Sequence, residues 1–148
     1  MPVSAAQTLL DSYWDRTLPV NLDLFLDPLG LNVEEVSMDE TSASGSISGD
    51  KIKVNAADSE PRKRFTIAHE IGHFYLGHGN RFRNTVLRTY EPEEIAANAF
   101  AAELLMPAIA MKVLIELHRE KDPARLREIF NVSAEALRIR LKALGYID

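Results

Sequence analysis

The stretch Arg64-Phe65-Thr66-Ile67-Ala68-His69-Glu70-Ile71-Gly72-His73-Phe74-Tyr75-Leu76 constrains this chain more than any other part of it. Read as a helix it is apolar on almost every side, and such a helix is normally buried. It nevertheless carries three ionisable groups on one face. At the helical period His73 lies about 40° round from His69, and Glu70 lies about 60° from His73. A buried carboxylate beside two imidazoles costs several kcal/mol unless something compensates it, and a divalent cation is the simplest compensation. The helix is predicted to open near Asp58 or Ser59, with Pro61 in its first turn, and to run to about Gly77.

The chain has no cysteine, so disulfides, thiolate nucleophiles and thiolate metal sites are excluded together. A metal must then be held by histidines and carboxylates, a set that suits zinc, with manganese as the alternative. In a His-Glu-x-x-His pattern the two histidines bind the ion, while the glutamate serves as general base toward the attacking water. Two histidines leave a ligand missing. A second helix, predicted from about Pro92 to Met106, offers Glu94 four residues before Asn98, on one face. Glu94 is the expected third ligand, Glu93 the fallback, and Asn98 the outer residue that orients a histidine. Acids in a first turn also simply complement the helix dipole. Glu103 falls about 180° from Glu94 and is not assigned to the metal. The alanines at 96, 97, 99, 101 and 102 would let the two helices approach closely. His78 and Tyr90 are candidates for transition-state support, and His118 reads as a surface residue.

Elsewhere the pattern predicts an amphipathic helix over Ala5–Trp14 and a short one within Pro19–Leu29, ending before Gly30. Period-two patterning over Leu31–Val36 and Ser46–Val54, with Gly49-Asp50 as a tight turn, predicts about three strands. The edge of the Ser46–Val54 hairpin is expected to receive a substrate as an added strand. The polar segment Gly79–Tyr90 reads as a loop, and helices are expected near Ala108–Arg119, Pro123–Phe130 and Ser133–Leu144. The fold class is therefore α+β: a small, mostly antiparallel three-stranded sheet packed on a helical core, with C-terminal helices. Residues 1–118 are expected to form the catalytic domain, with 119–148 a helix-turn-helix-like extension of the same unit. The net charge of −5 argues against a protein built to bind a phosphate backbone. Seven basic residues against four acidic ones between Arg119 and Lys142 leave the tail locally positive, yet its last helix has few side chains suited to base edges, so direct DNA binding is not expected. No apolar run approaches the roughly 18 residues of a membrane span and no signal-peptide pattern is present, so a cytoplasmic protein is expected.

Two segments together, Arg64 to His73 and Ala97-Asn98-Ala99-Phe100-Ala101-Ala102-Glu103-Leu104-Leu105-Met106-Pro107, resemble the ImmA/IrrE metallopeptidases. The resemblance implies a zincin-like core, His69, His73 and Glu94 as metal ligands, and Glu70 as base in a gluzincin-like endopeptidase. It also implies a protein substrate, an Xre-type helix-turn-helix repressor or an antitoxin of a toxin–antitoxin pair, whose cleavage relieves repression. One departure is Ala96, where many members carry a second acid. The competing expectation is a binding module that holds a metal structurally, or none, and acts by sequestering its partner.

Overall fold

The computed structural model describes residues 1–37, 45–77, 81–82 and 91–148. Helix α1 (Pro2–Tyr13) and the short α2 (Asp23–Leu29) lead into the sheet. Gly30, in the left-handed region at φ 70°, ends α2 and turns the chain toward β1 (Asn32–Val36). Strands β2 (Gly45–Ser48) and β3 (Lys51–Asn55) form the expected hairpin, with Gly49 at φ 59° in its two-residue turn. Along β3 Ile52 and Val54 point into the core while Lys51 and Lys53 point to solvent.

With a two-residue strand β4 (Arg81–Phe82) at one edge, the strand order is β1-β3-β2-β4. The hairpin inserts β3 between β1 and β2, which makes β1 and β3 parallel while β2 and β3 are antiparallel. The sheet is thus mixed. Strand β4 lies within the stretch expected to be a loop and pairs with Ser46 and Ile47. Alternating apolarity locates strands but carries no information on the direction of their neighbours, and two residues are too few to show a period.

Helix α3 (Glu60–Tyr75) starts as predicted, with Ser59 Oγ accepting from the Arg62 amide and Pro61 in the first turn. It packs on β2 and β3 on one side and on α4 (Pro92–Leu105) on the other, and α1 packs against α4. A single core joins Phe25, Ile52, Ile71, Phe100 and Leu104. The helix expected over Ala108–Arg119 is divided: α5 (Ala108–Lys112) passes into a π-helical turn over Val113–Leu117, where the His118 amide donates to the Val113 carbonyl at 3.0 Å. Helices α6 (Pro123–Phe130) and α7 (Ala134–Ala143) come next, capped by Asp122 and Ser133 and separated by Asn131 in the left-handed region.

Two arginines withdrawn from solvent tie this tail to the body. Arg64 on α3 donates to the carbonyls of Asn131 and Phe130, satisfying the end of α6. Burial pushes its guanidinium below the usual arginine range, yet it stays a cation. Arg140 on α7 donates to the Met106 carbonyl at 3.1 Å and forms a buried ion pair with Glu103 on α4. Glu103 therefore faces away from the histidines, as its angular position required, and anchors the last helix.

Candidate metal centre

The capped first turn of α3 sets the phase of the whole helix, so that His69 and His73 stand one above the other. Their rings meet edge to face with centroids 4.7 Å apart, and their Nε2 atoms lie 3.0 Å from each other. Glu94, in the first turn of α4, brings one carboxylate oxygen 2.7 Å from His73 Nε2 and the other 3.3 Å from His69 Nε2. One ligand atom from each of the three lies within 4.8 Å of those from the other two, and His73 and Glu94 are buried. Glu93 is not part of this group.

The close approach of the two helices depends on residues with little or no side chain. A Cβ on Gly72 would sit 3.0 Å from Phe100 Cδ1, so the glycine inside the His-Glu-Ile-Gly-His run is the space into which α4 packs. Ala97 and Ala101 on α4 are fully buried. The sequence signal for Gly72 was available, because glycine inside a helix costs roughly 1 kcal/mol against alanine and needs a packing reason.

Asn98 is where its spacing from Glu94 placed it. Its Oδ1 accepts from His69 Nδ1 at 2.8 Å. An amide oxygen only accepts, so Nδ1 is the donor in this bond, and the other ring nitrogen, Nε2, is the one turned toward His73 and Glu94. His69 Nε2 lies 3.3 Å from one Glu94 oxygen and 3.0 Å from His73 Nε2, so three potential ligand atoms face one another across a small space. Two imidazole nitrogens and a carboxylate are also the donor set that zinc takes at sites that keep a position open. The residues present therefore fit a divalent metal.

Glu70 is 1% exposed and lies beside the start of β2. A Cβ on Gly45 at that strand end would run into the Thr66 methyl, and Glu70 Oε2 would be 3.7 Å from it. Gly45 is thus a second residue whose lack of side chain lets an element close on the site, and nothing in its serine-rich surroundings marked it. His78 and Tyr90 lie outside the described residues. His118 is exposed and not among the residues of the metal group.

A helix carrying two histidines and a glutamate, closed by a second helix that supplies another glutamate, defines a metallopeptidase-type site. The IrrE N-terminal-like domain model, of the peptidase M78 family, matches residues 29–142, and the chain belongs to that family. No curated protein matches the chain. Among solved structures it is similar to a Mycobacterium tuberculosis transcriptional regulator, with a TM-score of 0.67 at 19% identity over 95% of this chain and 46% of that one. That likeness is one of fold, and the chain spans about half the length of the regulator. Among the described residues no helix is long and apolar enough to cross a membrane.

Proposed function

We propose that this chain is a zinc-dependent endopeptidase, gluzincin-like with a zincin-like core, that cuts one peptide bond in a specific cytoplasmic regulatory protein. The observation that carries the reading is the convergence of His69, His73 and Glu94 within 4.8 Å, with the buried Glu70 on the same helix. These three residues would hold the ion, zinc or manganese according to availability. When bound, the metal supplies Lewis acidity that polarises the scissile carbonyl and makes water acidic enough to attack at neutral pH. Glu70 takes the proton of the attacking water on its carboxylate and returns it to the leaving nitrogen. Asn98 holds the His69 ring in the tautomer that leaves Nε2 free to bind.

An Xre-type repressor or an antitoxin is the proposed substrate. The membership of the chain in the IrrE-like family and the regulator among its structural neighbours support a role in transcription regulation. The edge of β2 expected to receive the substrate as an added strand is already occupied at Ser46 and Ile47 by β4, so the substrate is not proposed to add there.

The test is to incubate the zinc-loaded protein with the product of the neighbouring gene and look for a discrete fragment. Glu70→Gln should keep the metal and the fold yet yield no fragment. An equally active Glu70→Gln variant would remove Glu70 from the chemistry. A zinc-loaded protein that leaves the partner intact while binding it stably would favour sequestration.

A further inference from the structure

Beside His69 and Glu70 the surface opens into a groove of about 920 Å³ running between α3, α4 and α7. Its apolar lining comes from Phe65 on α3, Ala99 and Ala102 on α4, and Ala136, Ile139 and Ala143 on α7. The polar side chains nearest that lining are committed elsewhere. Arg140 is held by Glu103 and the Met106 carbonyl, Ser133 Oγ caps the Ala136 amide at 3.1 Å, and Asn98 is held by His69. Arg62 pairs with Asp58 at 3.3 Å, and Glu135 is exposed at the edge. Away from Thr66, His69 and Glu70, which line its end at the site, the groove offers a ligand mainly apolar burial. Ile139, 53% exposed, is an aliphatic side chain in that wall whose surface a ligand would cover.

We infer that α7 is a wall of the substrate site, that the groove takes a bulky apolar side chain flanking the cleaved bond, and that Ala136 and Ile139 determine which one. The occupant is a polypeptide segment bearing leucine, isoleucine, methionine or phenylalanine. Continuity is the argument for it, because the groove begins at His69 and Glu70 and a chain presented to them passes along it. The small side chains at 99, 102 and 136 leave the room that a large one needs. This inference rests on the peptidase reading, and it gives the C-terminal helices a role in specificity that their packing alone does not require.

Calorimetric titration of the zinc-loaded protein with acetohydroxamate, N-acetylglycine hydroxamate and N-acetylleucine hydroxamate tests it through binding, without turnover. The leucine compound should bind about 10–200-fold more tightly than the glycine compound, the discrimination that apolar pockets achieve. Ala136→Trp fills the groove and should bring the two to near parity while acetohydroxamate binds as before. Ile139→Glu, at an exposed position where folding is not at stake, should also erase most of the leucine preference. Equal binding of the two compounds to the wild type, or a preference untouched by both substitutions, would overturn the inference. If acetohydroxamate itself does not bind, the metal reading fails. The groove is then judged in the metal-free protein by methyl NMR with N-acetylleucine amide: shifts at Ala136 and Ile139 support it, and their absence overturns it.

Discussion

At the scale of single residues, the candidate site is governed by which atoms accept and which donate. Asn98 decides the His69 tautomer through one 2.8 Å hydrogen bond. Asn98→Ala should therefore lower zinc affinity by about 10–100-fold with little change in fold, read by competition against a chromogenic chelator. Glu103 and Arg140 pose the opposite problem, since both are buried and each compensates the other. Arg140→Met leaves a carboxylate without its cation and should cost about 3–5 kcal/mol in urea denaturation, whereas Arg140→Met with Glu103→Leu should recover most of it. Equal losses in the single and double variants would show that packing, not charge, holds α7 in place. The grouping of His69, His73 and Glu94 and the place of Asn98 beside His69 were legible in the sequence, because helical spacing converts directly into a shared face. The Arg140 to Glu103 pair was not, because it joins residues whose separation along the chain has no periodic relation.

At the scale of elements, α3 and α4 form the site only if they come close enough for Glu94 to reach both histidines. Gly72 allows this by leaving space for Phe100, with ring atoms 3.0 and 3.2 Å from where a Cβ would stand. Gly72→Ala should force the helices apart, destabilise the protein by about 1–3 kcal/mol and weaken metal binding as well, since Glu94 rides on the displaced helix. Phe100→Leu in the same background should restore part of both. An alanine variant with unchanged zinc affinity would show that α4 accommodates the methyl without moving Glu94. The start of α3 was readable from its cap, Ser59, which accepts the Arg62 amide, while Asp122 and Ser133 cap the last two helices without having been singled out for it. The parallel pairing of β1 with β3, the short β4 and the π-helical turn after Lys112 were not readable, because each is decided by what lies alongside the segment rather than by its own pattern.

At the scale of the whole molecule, binding of the proposed metal would be coupled to folding, since its candidate ligands come from two helices that only the folded chain brings together. Zinc at about a thousand times its dissociation constant should add roughly 4 kcal/mol to stability, seen as a rise in the thermal midpoint that a chelator reverses. His69→Ala should abolish the zinc-dependent rise and keep a folded baseline, and a rise that persists would place the ion elsewhere. By itself the sequence determined that a buried helix carries two histidines and a glutamate, and that a second helix offers a carboxylate and an amide in register. Both follow from helical periodicity and the cost of burying charge. Only the tertiary structure decided how closely Glu94 approaches both histidines, that β4 pairs with the β2 edge at Ser46 and Ile47, and that α7 walls a groove beside the site. Those outcomes depend on the distance and angle between elements, which are set by Gly45, Gly72, Phe100 and the Arg140 to Glu103 pair acting across the chain.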